Sequence, residues 1–188
     1  MSASTSFDRD RRPDAMVAPP ATRGALTTSI TVVNGTSLAS ARGIATRGGD
    51  GRATPLVLNF ASAKTAGGGF LDGALPEEPY LAGFLTAPAP NAGVVLAREP
   101  ERQEEVNAVM KARVSRALAI CAEQGHRHLV LGAWGCGVFA NDPAVVARAF
   151  GDALDGAYAG AFDEVVFAVL DWSQEQRFIR PFVARFAS

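Results

Sequence analysis

Gly67, Gly68 and Gly69 stand in a row, and two adjacent carboxylates, Glu77 and Glu78, follow them within NFASAKTAGGGFLDGALPEE, residues 59–78. Glycines lack a Cβ, so they take positive φ and let a ligand approach the backbone closely. Successive N–H groups in such a loop can converge on one anion. The carboxylates add what glycines cannot, a group able to move a proton. A lone glycine triplet beside a charge pair is more often a flexible turn than a site. Here, however, a second glycine-rich segment, Gly132-Ala133-Trp134-Gly135-Cys136-Gly137, also follows an apolar run of strand length. Asn141 and Asp142, residue types that cap helices, come shortly after it, and Pro143 suits a first helical position. A helix start favours an anion through its free N–H groups and dipole. Two such loops suit a diphosphate better than a single phosphate. Neither has the G-x-G-x-x-G or GK[ST] pattern, so the scaffold is not expected to be a dinucleotide fold or a P-loop.

Other reactive side chains offer less. Cys121 and Cys136 are the only cysteines, too few for a disulfide framework and without zinc-ligand spacing, and no metal site is expected. Cys136 lies where a helix start could lower its pKa, but no histidine is placed by sequence to act as its base. His126 and His128 flank Arg127 before a strand and read as surface residues.

The elements that must position these loops alternate between strand and helix. Ile30 to Val33 reads as a strand closed by Asn34-Gly35-Thr36, and Ser37 to Arg47 as a helix with Leu38, Ala41 and Ala45 on one face. Thr54 to Phe60 is an apolar run expected of a strand buried on both faces, and Tyr80 to Thr86 is a further strand before the proline-rich 87–91. Glu101 to Ala122 is the longest helical pattern, with Val106, Val109, Met110, Val114, Ala117, Leu118 and Cys121 as one stripe; Gly125 suits its stop. Leu129 to Leu131 is a strand. Val145, Val146, Ala149, Phe150, Ala153 and Leu154 form the buried face of the next helix. Val165 to Leu170 is the last strand, and 174–186 a final helix interrupted by Pro181. This order predicts an α/β fold, a mostly parallel sheet with helices on both faces, and both glycine loops at the carboxyl ends of strands, where such sheets bind ligands.

The 188 residues, 48% hydrophobic, suffice for one domain with a full core. Residues 1–28, rich in Pro, Ser/Thr and alternating charge, read as a flexible arm ahead of a domain over 29–188. A net charge of −1 argues against a broad nucleic-acid footprint. No run approaches the roughly 18 apolar residues of a membrane span, and the N-terminus lacks the apolar core of a signal peptide. The cytoplasm is the expected location.

In order, NFASAKTAGGGF, LTAPAPNAGVV, LVLGAWGCGVFANDP and VVFAVLD resemble the motifs of the microbial type of poly(ADP-ribose) glycohydrolase, from about residue 30 to the C-terminus. That resemblance implies a macrodomain-like three-layer α/β/α fold around a mostly parallel mixed sheet. It implies a monomer that binds ADP-ribose or poly(ADP-ribose), free or on modified proteins, without cofactor or metal, and a part in the DNA damage response. It places Gly67, Gly68 and Gly69 against the diphosphate and the scissile ribose, and Gly135, Gly137, Val138 and Phe139 along the second diphosphate loop. Asn59 and Ser62 fall in the ribose region, and Asp171, Pro88 and Asn91 near the adenosine end. Cys136 takes a packing role.

The family's catalytic signature is the glycine triplet, six to eight residues, then Gln-Glu-Glu. Here six residues separate Gly69 from Pro76-Glu77-Glu78, so the spacing fits but proline replaces glutamine. On this alignment Glu78 is the general acid and Glu77 orients the ribose hydroxyls, in a two-carboxylate glycoside hydrolysis. A second alignment matches Glu77 to Leu81 with the lead into the next strand. Pro79 disfavours helical geometry at Glu78, and ten residues between Gly69 and Tyr80 leave minimal room for a helical crossover. The catalytic helix is then absent, leaving a binding module or a shortened version of an active parent. Gln103-Glu104-Glu105 repeats the letters of the signature on the solvated face of the long helix.

Overall fold

The computed structural model describes residues 27–47, 53–60 and 79–186. Ser62, Gly67, Gly68, Gly69, Glu77 and Glu78 lie outside the described residues, as does nearly all of the segment read as an arm. Five strands, β1 (Ser29–Val33), β2 (Leu56–Phe60), β3 (Gly83–Ala87), β4 (His128–Leu131) and β5 (Glu164–Ala168), form one sheet in the order β1-β5-β4-β2-β3. Every pairing among them is parallel, so the described sheet is not mixed. Five α-helices accompany it: α1 (Ser37–Arg47), α2 (Ala92–Leu96), α3 (Gln103–Glu123), α4 (Pro143–Asp155) and α5 (Arg180–Phe186).

Strand side chains alternate between two cores, as the period of a strand dictates. Leu56, Leu58, Leu129, Leu131, Val165 and Phe167 face a large cluster built with Met110, Val114 and Leu118 of α3, Val146 and Phe150 of α4 and Phe182 of α5. Val57, Val130, Val166 and Ala168 face the other way, onto Ala41 and Ile44 of α1. The layers are therefore α1, the sheet, and α3–α4–α5. Phe167 joins the helices of its face: its ring lies 5.5 Å from that of Phe150, edge-on, and is stacked at 4.5 Å on Phe186.

Several boundaries differ from those expected. β3 starts at Gly83 rather than Tyr80, because Pro79 to Ala82 approach the sheet without pairing; Gly83 N–H makes the first bond, to the Pro55 carbonyl at 2.9 Å. Pro181 does not interrupt a helix. It is the second residue of α5, where a missing N–H costs nothing. Residues 174–179 form turns before it. Val109 is 38% exposed, off the buried stripe of α3, since it lies roughly 120° around the helix from the stripe's centre. α2 was not foreseen; Asn91 starts it by accepting a hydrogen bond from Val94 N–H.

Candidate functional site

β1 and β5 are neighbours in the sheet, yet the chain leaves β1 toward α1 on one face and β5 toward α5 on the other. Adjacent strands whose connections diverge leave a crevice at their carboxyl ends. A cavity of about 350 Å³ lies there, lined by Gly35, Thr36 and Ser37 after β1, Phe60 at the end of β2, Ala133, Cys136 and Gly137 after β4, and Ala168 to Leu170 and Phe178 beside β5.

Two of its walls present backbone N–H groups. Thr36 caps α1: its Oγ1 accepts from Ala39 N–H at 3.2 Å and its carbonyl from Ser40 N–H. Helix geometry leaves the N–H groups of Ser37 and Leu38 without intrahelical partners. The loop after β4, which also lines the cavity, is held by Cys136 N–H to the Ala133 carbonyl, Ala140 N–H to Gly137 and Asn141 N–H to Gly135. Among the described residues these bonds leave the N–H groups of Gly137, Val138 and Phe139 unused, three in succession. Among the described residues no Lys or Arg lines the cavity. An anion seated there would be held by main-chain donors and a helix start, an arrangement suited to phosphate.

The loop is braced from behind. Asn141 is buried, and its Nδ2 donates to the carbonyls of Pro90, at 2.8 Å, and Gly135, at 3.0 Å. Trp134, also buried, donates from Nε1 to the Ala87 carbonyl. Gly93 N–H donates to the Phe139 carbonyl. The segment after β3 thereby becomes a buttress for the segment after β4.

Of the residues anticipated from sequence, Gly137 lines the cavity and Val138, 95% exposed, sits beside it. Phe139 is half-buried and packs on the larger core. Gly135 has a packing reason to be glycine: its φ is +74°, and a Cβ there would meet the Ala89 Cβ at 2.4 Å. Asn59 precedes the cavity-lining Phe60 and reaches Thr86 Oγ1, its partner across β2 and β3, at 3.4 Å. Pro88 and Asn91 belong to the buttress, with the Pro88 carbonyl accepting from Arg113 and Asn91 capping α2. Asp171 follows the cavity-lining Leu170 but turns its carboxylate inward. Oδ1 accepts from Ser173 N–H and Oγ, and Oδ2 from the N–H groups of Phe178 and Ile179. Burial pushes this carboxyl up, and the hydrogen bonds from Ser173, Ile179 and Phe178 outweigh it and bring it down to about 2. Cys136 lines the cavity as a buried thiol that desolvation pushes up to about 12, with Asp142 adding to the effect, which removes it as a thiolate nucleophile.

The wall at Gly35–Ser37 was missed. Its signal was present in the sequence as Asn-Gly-Thr-Ser between a β-branched strand and a helix, the first strand-to-helix turn of an α/β fold. Leu170 and Phe178 had no local signal, since only the turn around Asp171 brings Phe178 back to the end of β5. Among the described residues no cluster of His, Cys, Asp and Glu could hold a metal ion, and no helix is long and apolar enough to cross a membrane.

Fold and site define an α/β protein with a cavity at the carboxyl ends of a parallel sheet, bordered by a helix start and a glycine-rich loop. Residues 4–83 match the family model described as microbial-type PARG, catalytic domain. That match begins ahead of residue 30, where the motif resemblance starts, and takes in most of the segment read as an arm. Comparison with curated protein sequences gives no match. Among solved structures, the poly(ADP-ribose) glycohydrolase of Thermomonospora curvata is 36% identical over 87% of this chain and 78% of its own, with a TM-score of 0.76. That of Deinococcus radiodurans in complex with ADP-ribose is 32% identical over 88% and 86%, with a TM-score of 0.78. Its apo form is 31% identical over 88% and 84%, at 0.76. The chain belongs to the microbial-type poly(ADP-ribose) glycohydrolase family.

Proposed function

We propose that this chain binds ADP-ribose across the crevice and hydrolyses ribose–ribose O-glycosidic bonds of poly(ADP-ribose), releasing ADP-ribose. The observation that carries the binding is a cavity of about 350 Å³ lined both by the start of α1 and by Gly137, the first of three successive residues whose N–H groups are unused among the described residues. The Deinococcus radiodurans enzyme in complex with ADP-ribose supports the same ligand here.

For hydrolysis, Glu78 protonates the leaving ribose oxygen, then takes a proton from the water that attacks the oxocarbenium-like carbon, while Glu77 orients the ribose hydroxyls. Ser62, Gly67, Gly68 and Gly69 complete the ribose and diphosphate wall in this reading. Tyr80 supports it. Its hydroxyl donates to the Leu38 carbonyl at 2.8 Å, in the first turn of the helix whose start lines the cavity. Tyr80 follows Glu78 by two residues in the sequence. The chain is further proposed to be a monomer, one domain over 29–188 behind an arm, acting in the cytoplasm on polymer attached to proteins during the response to DNA damage. Its charge of −1 supports a role without direct nucleic-acid contact.

Binding without hydrolysis is the second reading, favoured by Pro79, which follows Glu78 at once and begins the approach to β3. Incubation with poly(ADP-ribose) separates the two. Release of ADP-ribose, falling about 10²- to 10⁴-fold in Glu78→Gln while ADP-ribose affinity is kept, is the expected outcome. A variant as fast as the parent would remove Glu78 from the mechanism. Absent turnover with intact ADP-ribose binding would establish the binding module.

A further inference from the structure

Trp172 stands where nothing in the fold requires a tryptophan. It is 87% exposed, and among the described residues its side chain makes no hydrogen bond or ring contact. The chain's other tryptophan, Trp134, is 1% exposed, which is the ordinary fate of such a side chain. Its backbone, by contrast, is fixed on both sides. Asn34 clamps Asp171, accepting from its N–H at 3.0 Å and donating to its carbonyl at 3.1 Å. Ser173 is held through both N–H and Oγ by the Asp171 carboxylate, and its Oγ accepts from Arg177 N–H. A large aromatic face is thus presented to solvent from a rigid turn, which limits the ordering cost of using it.

Its position gives that face a purpose. Leu170, two residues earlier, lines the cavity and is itself 45% exposed; Phe60 and Val138, at 40% and 95%, are exposed at the ends of the other cavity strands. Among the described residues, four of the nine exposed large hydrophobics therefore sit at the carboxyl ends of β2 and β5 or in the segments that follow β4 and β5. Trp172 is not among the residues lining the cavity. Trp172 follows the cavity-lining Leu170 by two residues and, on its fixed turn, faces solvent. In a polymer of ADP-ribose a neighbouring unit extends beyond the one seated in the cavity, and its adenine offers a planar face that stacks on an aromatic side chain.

We propose that Trp172 is an aromatic platform for the adenine of the adjacent polymer unit, so that it raises affinity for oligomers over single ADP-ribose. This rests on the ADP-ribose reading of the crevice, and its test keeps the two apart. Calorimetric titration of the intact chain, Trp172→Ala and Trp172→Phe would use ADP-ribose and a purified short ADP-ribose oligomer as probes. The parent should bind the oligomer more tightly than ADP-ribose. Trp172→Ala should lose on the order of tenfold of oligomer affinity and leave ADP-ribose affinity unchanged, with Trp172→Phe keeping most of the advantage. Quenching of the exposed tryptophan's fluorescence by the oligomer, and not by ADP-ribose, is the accompanying signature. Equal affinity of parent and Trp172→Ala for the oligomer would overturn the proposal, as would an equal loss for both probes. A parent chain that binds neither probe would overturn the reading of the crevice itself.

Discussion

A Cβ built at Gly135 falls 2.4 Å from the Ala89 Cβ and 2.6 Å from Asn141 Nδ2, in a residue whose φ is +74°. At Gly137, two residues on, a Cβ meets nothing within 4 Å among the described residues. One glycine admits the buttress, and the other leaves room over the cavity. Gly135→Ala combines overpacking with a left-handed backbone and should cost about 2–4 kcal/mol. Urea unfolding checks this, and a loss below about 0.5 kcal/mol would remove the packing role. The sequence shows two identical letters in one loop and cannot distinguish them, because Ala89 and Asn141 become neighbours of Gly135 only through tertiary contacts. Cys136 illustrates the same limit. Its place in a glycine loop before a helix suggested a lowered pKa, and burial wins, raising it to about 12.

The turn from Leu170 to Ile179 is an element organised by one side chain. The Asp171 carboxylate receives four hydrogen bonds, and its folded pKa of about 2 lies below the roughly 3.9 of an unfolded aspartate. A depressed carboxyl pKa contributes stability that is fully present above the unfolded value and is lost as pH falls through the folded one. Asp171→Asn should therefore be less stable than the parent near neutrality, with the difference shrinking as pH falls from about 4 to 2. Urea midpoints measured across that range test it; a difference independent of pH would mean the carboxylate charge is not what holds the turn. The sequence pattern marks a strand at Val165–Leu170, observed as Glu164–Ala168, and a helical tendency near the C-terminus. It could not find this turn, because Ser173, Phe178 and Ile179 donate to Asp171 from across a loop. The helix α4 was more legible: Asp142 accepts from Ala144 N–H at 2.8 Å and Pro143 follows, both local signals.

At the scale of the whole molecule, the alternation of strands and helices was readable because each buried strand repeats its pattern on two faces, Leu56 and Leu58 toward one core and Val57 toward the other. Strand order was not readable, since nothing local makes β1 the neighbour of β5. That order is what creates the crevice: α1 and α5 leave adjacent strands toward opposite faces, and the start of α1 then lines it together with the loop after β4. The central claim is that ADP-ribose occupies this crevice, held by main-chain N–H groups near Gly137. Gly137→Val fills open space beside those donors without displacing packed atoms, so the fold should keep its thermal stability. Side-by-side calorimetric titration of ADP-ribose into the parent and Gly137→Val tests the claim most directly. The expected result is binding at one site per chain in the parent and a loss of at least about tenfold in an equally stable variant, equivalent to roughly 1.4 kcal/mol. Equal affinity in the two proteins, or no binding by a folded parent, would contradict it.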